Sequence, residues 1–245
     1  MTVDPRHATT QMGRVRNDPR QYDALAPEWW RPRGVFSMLH WIARARAGLV
    51  PPAPRGGAVL VDIGCGGGLL APYIAPKGYA HIGVDVTVSA LKIAREHGVV
   101  PVQGDATKLP FRPGSADVVV AGEILEHVED LPASVSEACR TLSAGGTLVV
   151  DTIASTWLAK AAVITVAERV PGGAPPGLHD PRLFVDRKLL RRECGRHGVN
   201  LHLNGLRPSA WGVLCWAIRR RPEAKMVRTW STAVLFQGQG TKVGP

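Results

Sequence analysis

The sequence predicts an α/β fold: a seven-stranded, mostly parallel sheet with helices on both faces and a lid inserted after the fifth strand. Three observations predict it. Short runs rich in β-branched residues alternate with helical stretches between residues 58 and 153, the pattern of strands buried on both faces. The turn GCGGG, residues 64–68, follows the first of these runs directly, and a glycine-rich strand-to-helix turn belongs to nucleotide-binding sheets of this kind. Beyond residue 153 the alternation breaks, and the loop PGGAPPGLHDP (171–181) carries the prolines and glycines of an insertion.

Taken in order, residues 1–20 are polar and read as a disordered N-terminus. Residues 21–54 form a helical cap, since aromatic and apolar positions recur at helical spacing through GVFSMLHWIARARAGLV until PPAPRGG ends it. Residues 55–245 make up the ligand-binding domain, with the lid at 154–181. Its strands are expected at 58–64, 81–86, 99–105, 116–124 and 147–153, then at 199–206 and 231–237. Between them lie helices starting at LLAPYIA, at TVSALKIAREHG with Thr87 as N-cap, and at DLPASVSEACRTL, which the turn SAGG closes. An apolar helix is expected within 157–170 and a basic one at 186–197, while 207–229 reads as irregular.

With 245 residues the chain suits a single well-buried domain. Its four cysteines include no Cys-x-x-Cys pair, which argues against a zinc knuckle or a disulfide framework and for free thiols in a reducing cytoplasm. The stretch WLAKAAVITVAERV holds Lys160 and Glu168 and falls short of the ~20 residues a bilayer span needs. The net charge of +10 is concentrated: residues 182–228 hold twelve Lys or Arg against three acids. Such a block suits a solvated basic face or, together with the apolar insertion, a peripheral contact with an anionic membrane. Nucleic acid is disfavoured, because no aromatic residues interleave with the arginines.

The glycines at 64, 66 and 68 lack the third position of a dinucleotide turn, where residue 69 is Leu. Asp62 precedes the turn, and Asp85 ends the second strand 21 positions after Gly64, the separation at which a carboxylate grips both ribose hydroxyls. Asp105 ends the third strand, in reach of an adenine amino group. This set suits S-adenosylmethionine (SAM), a nucleoside without a pyrophosphate.

Together, VLVDIGCGGG, GVDV, GDATKLPF and EILEHV resemble the Rossmann-like class I SAM-dependent methyltransferases over about residues 55–153. The flanks, with the paired Trp29 and Trp30, the Leu-His followed by arginine, and Gly-x-His-Asp at 177–180, resemble more narrowly the O-methyltransferases of ubiquinone biosynthesis. That resemblance implies O-methylation of a hydroxylated, quinol-like and polyprenylated aromatic, with methylation at carbon or nitrogen of another quinone or secondary metabolite, RNA methylation, and SAM binding without catalysis as the rival readings. It also implies that Arg46, Gly64, Asp85 and Gly122 line the cofactor site, to which the glycine turn itself adds Gly66. A divalent metal, magnesium or else manganese or zinc, would be held by Glu123, Glu126 and His127, whose i, i+3, i+4 spacing puts them on one face of a helical turn. In its absence His127 or His179 would serve as general base, with Glu123 the further catalytic candidate. Trp29 and Trp30 either close over the cofactor or anchor the cap. The likeness fails at NGLRPSAWGVLCWAIRRRPEAKMVRTW, expected beside the acceptor pocket, and at Ala154 and Ser155, where the family carries Asn-Arg.

Overall fold

A computed structural model describes residues 16–166, 168 and 175–244. Most of the N-terminal segment expected to be disordered, residues 1–15, therefore lies outside the described residues. From Arg16 onward the chain is held: the Asn17 side-chain amide donates to the His127 carbonyl at 2.9 Å, and the Arg16 guanidinium donates to the His179 carbonyl at 2.7 Å.

The cap consists of α1 (Arg20–Ala24), a 3-10 turn (Ala26–Glu28) and α2 (Ser37–Ala47). The sheet then opens with β1 (Val59–Ile63), followed by α3 (Ala71–Ile74), β2 (Ala80–Asp85), α4 (Val88–Glu96) and β3 (Val100–Gln103). It continues with β4 (Ala116–Gly122), α5 (Leu131–Thr141) and β5 (Leu142–Ile153). After the insertion, with α6 (Trp157–Lys160) and a π-helical turn (Ala161–Val166), come α7 (Arg187–Arg196), β6 (His202–Pro208), α8 (Ala210–Ala217), β7 (Met226–Thr229) and β8 (Leu235–Thr241).

Among the described residues the sheet has eight strands, not seven, in the order β3-β2-β1-β4-β5-β8-β6-β7. The first five are parallel, while β8 runs antiparallel to both β5 and β6, and β7 antiparallel to β6. The additional strand and α8 both fall in the segment read as irregular. MVRT shows too little alternation to announce a strand, and it is the edge of β6, with Leu206 opposite Arg228, that makes it one. The last strand also starts four residues later than its apolar run suggests, because Leu235 must meet both Ile153 and Leu206. Residues 143–146, expected to turn, belong to β5, whose pairing with β4 is irregular between Ala116 and Val118.

Alternation of β-branched strands and helices buries both sheet faces, as the sequence requires. One face packs Val61, Val119, Leu148 and Phe236 against α5 and α7; the other packs Leu60, Val118 and Val149 against Leu70 and Ile74. Burial of this size is the dominant favourable term in the fold. The cap closes the carboxyl edge with an aromatic group in which Trp29 stacks on Phe36 at 4.3 Å and on Tyr22 at 6.0 Å. Among the described residues no helix is long and apolar enough to cross a membrane.

Candidate active site

A cavity of about 550 Å³ lies at the carboxyl edge of β1, β2 and β4, where open α/β sheets place their ligands. All seven predicted cofactor residues, Arg46, Asp62, Gly64, Gly66, Asp85, Asp105 and Gly122, line it.

The glycine turn is shaped by β2 and by the cap. The Gly64 and Cys65 amides both donate to the Val84 carbonyl, at 2.8 and 3.0 Å. The Gly66 amide donates to Asp85 Oδ2 at 2.9 Å, and the Thr87 amide to Asp85 Oδ1 at 2.8 Å. Asp85 thus serves the end of α4 that Thr87 was expected to cap; the Thr87 side chain makes no capping bond. Burial raises the Asp85 pKa, opposed by these two amides, which fix the carboxylate beside the turn. Gly66 has φ +51° and its missing Cβ would strike the Trp29 ring, so this position needs glycine on both counts.

Trp29 and Trp30 are placed differently. Trp29 lines the cavity. Trp30 anchors the cap: its indole N–H donates to the Gly67 carbonyl at 2.8 Å and its ring stacks on His97 at 3.8 Å.

Under the cavity Arg46 and Asp151 form a buried, two-pronged ion pair, with the guanidinium NH2 group 2.7 Å from Oδ1. Burial alone would lower the Arg46 pKa, but Asp151 outweighs it and the guanidinium stays charged. A Cβ at residue 122 would collide with this guanidinium, so Gly122 is the gap through which Arg46 reaches the end of β4. Asp62 is also buried and faces His81 at 3.3 Å. Asp105 is held by the Thr107 amide and hydroxyl, at 2.7 and 2.8 Å.

The expected metal triad is not assembled. Glu123 adopts φ +53° and stands outside the 3-10 turn Leu125–His127, so the helical spacing that would align it with Glu126 and His127 does not apply. Glu126 turns away into the protein, where its Oε2 accepts from the Thr152 hydroxyl at 2.6 Å. His127 Nδ1 faces Asn17 Oδ1 at 2.5 Å. Among the described residues no three His, Cys, Asp or Glu side chains are grouped to hold a metal ion.

What remains is a set of groups in which burial disfavours charge. Glu123 and His127 line the cavity. Burial, then the neighbouring Glu126 and Asp151, push the Glu123 pKa well above the carboxylate range, and burial lifts Glu126 to about 7 against the opposing bond from Thr152. Burial and then His179 lower His127 to about 3, so its imidazole is neutral at neutral pH. His179 stacks on His127 at 5.3 Å and sits 3.6 Å from Glu168, but it does not line the cavity. Asn17, Tyr22 and Asp151 are the site residues that sequence reasoning missed. The first two reach the site only through the docking of the cap, and Asp151 carries no signal beyond its place near the end of a strand.

Residues 207–229 were expected beside the acceptor pocket. None of them lines the cavity, and neither does any described residue of 154–181. The former pack instead on α2, with Ala224 and Met226 against Trp41 and Ile42.

This geometry can be set beside known proteins. A family model described as a methyltransferase domain matches residues 61–150. The ubiquinone biosynthesis O-methyltransferase of Idiomarina loihiensis is 35% identical over 205 residues, covering 77% of this chain and 83% of that protein. The chain belongs to the ubiquinone biosynthesis O-methyltransferase family. The relative from Ralstonia nicotianae bears the same name and is 37% identical over 186 residues, 72% of this chain and 78% of its own length. As a member of this family the protein is a SAM-dependent O-methyltransferase. The likeness in fold reaches further. A SAM-dependent methyltransferase from Thermotoga maritima, described as a possible histamine N-methyltransferase, superposes with a TM-score of 0.62 at 19% identity, covering 91% of this chain and 99% of that one.

Proposed function

We propose that this O-methyltransferase transfers the methyl group of SAM to a ring hydroxyl of an apolar, quinol- or catechol-type aromatic. The observation that carries the reading is one continuous cavity. The glycine turn with Asp62, Asp85 and Asp105 lines it together with Tyr22, Glu123 and His127. Donor and acceptor would share it, and holding two reactants in line is the largest advantage such a site can give.

In this reading Asp85 accepts from the ribose hydroxyls, Asp105 meets the adenine, and Gly64 and Gly66 let the backbone approach the rest of the nucleoside. Arg46, held between Gly122 and Asp151, supplies fixed positive charge below the amino-acid tail. Bound SAM supplies an electrophilic methyl group on sulfur. His127 accepts the phenolic proton at Nε2 as the bond from oxygen to the methyl carbon forms and the carbon–sulfur bond breaks, the moment at which that proton is most acidic, because Nδ1 is committed to Asn17 Oδ1. Tyr22 and Trp29 give the ring an apolar, stacked wall. Glu123, kept neutral by burial, offers a hydrogen bond without adding negative charge beside the developing phenolate. The described residues as arranged do not fit a divalent cation. We read the enzyme as cytoplasmic, a reading supported by its four buried cysteines, all free thiols.

The test is transfer of labelled methyl from SAM to a panel of catechols and quinols bearing short prenyl tails. Product carrying label on a ring oxygen is expected. Absence of transfer to any vicinal diol, from protein that binds SAM, would overturn the acceptor assignment.

A further inference from the structure

Asp62 and His81 are both buried, and among the described residues each side chain has the other as its one hydrogen-bond partner. The imidazole Nε2 lies 3.3 Å from Asp62 Oδ2. His81 Nδ1 is buried without a partner, and no hydrogen bond from a described residue reaches Asp62 Oδ1. A carboxylate only accepts, so Nε2 carries a hydrogen and donates it.

The sheet explains how the two meet. β1 and β2 run parallel, with Leu60 opposite His81 and Asp62 opposite Gly83. Side chains alternate along a strand, so these four positions share one face of the sheet. Gly83 brings no side chain to its place opposite Asp62, and a Cβ there would strike Cys65 Sγ at 2.6 Å. The imidazole therefore comes in diagonally, from the pair one step further from the carboxyl edge.

Stability does not call for a histidine here. Leu60, directly opposite, packs with Leu70 and Ile74, and an aliphatic side chain at position 81 would leave no unpaired nitrogen, which weakens a fold. What the imidazole does is hold a charge in place. Asp62 lines the cavity and has a strong attractor nearby: burial lowers the Arg46 pKa, and Asp151 first, then Asp62, outweigh it. Arg46 is already gripped on both prongs by Asp151. Without His81 the Asp62 carboxylate is free to turn toward that guanidinium; with His81 in place Oδ2 is tethered and Oδ1 is left for a ligand.

We propose that His81 is a positioning residue for the cofactor: it orients the Asp62 carboxylate so that Oδ1 accepts from the ammonium group of SAM. This rests on the cofactor placement proposed above.

Calorimetry of the full chain with SAM tests it, using H81L, H81Q, D62N and H81L/D62N. H81L removes the N–H and keeps the bulk, whereas H81Q keeps an N–H. SAM is expected to bind H81L about tenfold more weakly, the size of one hydrogen bond to a charged group, and H81Q is expected to recover most of that loss. On top of D62N, H81L should alter affinity by less than about twofold, because the carboxylate through which His81 acts is gone. A purely structural role would carry the same loss into both backgrounds. The proposal is overturned if H81L binds SAM as tightly as the unaltered chain or more so, if H81Q recovers nothing, or if the loss persists undiminished on D62N. Full affinity in D62N overturns the cofactor placement and the proposal with it; a loss in D62N with none in H81L overturns the proposal alone. Melting curves show which variants fold. Where H81L is unfolded or D62N binds too weakly to compare, nitrogen NMR of the unaltered chain with isotope-labelled histidine decides. A hydrogen on His81 Nε2 whose signal shifts with SAM supports the proposal, and a ring without that hydrogen, or one indifferent to SAM, overturns it.

Discussion

Asn17 fixes which nitrogen of His127 carries the proton. Its Nδ2 donates to the His127 carbonyl at 2.9 Å, and its Oδ1 lies 2.5 Å from Nδ1 of the same residue. A carbonyl only accepts, so the amide can face His127 in one orientation alone; Oδ1 then requires a hydrogen on Nδ1. The neutral ring is left with its lone pair on Nε2.

Replacing Asn17 should therefore change catalysis through His127. For Asn17→Ala, kcat is expected to fall about tenfold or more, within the range a positioned base contributes. Asn17→Asp puts a carboxylate beside a ring whose pKa burial and His179 depress to about 3. A nearby negative charge favours the imidazolium, so the acid limb of the kcat profile should move to higher pH. Rate profiles between pH 4 and 9 check this: the unaltered enzyme, its limb near 3, should be flat at the acid end of that window, and an equally flat Asn17→Asp profile would remove His127 from the role of base.

Asp85 is expected to account for much of the cofactor affinity. Asp85→Asn keeps the shape but loses the charge, and one of the bonds from the Gly66 and Thr87 amides must give way to an NH2 group. Hydrogen bonds to a charged group are worth roughly 1.5–3 kcal/mol, so SAM should bind at least tenfold more weakly. Calorimetry measures it, and unchanged affinity would place the nucleoside elsewhere.

At Gly66 a methyl group meets two obstacles, the left-handed backbone at φ +51° and the Trp29 ring. Gly66→Ala should lower stability by on the order of 1–3 kcal/mol and displace the cap enough to weaken SAM binding. Thermal melting reads the first effect. Pairing the substitution with Trp29→Ala relieves the clash, so the double variant should recover part of the single variant's loss in melting temperature relative to Trp29→Ala alone.

Glu126 makes stability depend on pH in an unusual direction. Its folded pKa is raised by burial to about 7 from 4.5, so the native state holds the proton more tightly than the unfolded chain. This contribution is fully present below about pH 4.5 and is lost as pH rises toward 7. Glu126→Gln removes the ionisation, and its stability relative to the unaltered protein should therefore rise between pH 4.5 and 7, by on the order of 1–3 kcal/mol. Urea unfolding at several pH values measures the difference, and a constant offset across the window would show that Glu126 ionises normally in the folded protein.

The residues spaced along single strands were legible in the sequence. Five alternating β-branched runs specify parallel strands, and Gly64, Gly66, Asp85 and Asp105 fall at strand ends by counting alone, so the residues proposed to hold the nucleoside follow from local spacing. The polar pairs that complete the cavity do not. Asn17 and His127 are 110 positions apart, as their bond spans the chain, and Arg46 and Asp151 are 105 apart; no period in the sequence links either pair. A helical reading of Glu123, Glu126 and His127 failed because Glu123 turns left-handed where β4 ends and sends its neighbours in different directions. Hydrophobic periodicity is a short-range code that sets which face of each element is buried. Which distant polar groups then share a dry pocket is decided only when the cap closes over the sheet edge, because there the cost of burying an unpaired charge selects its partner.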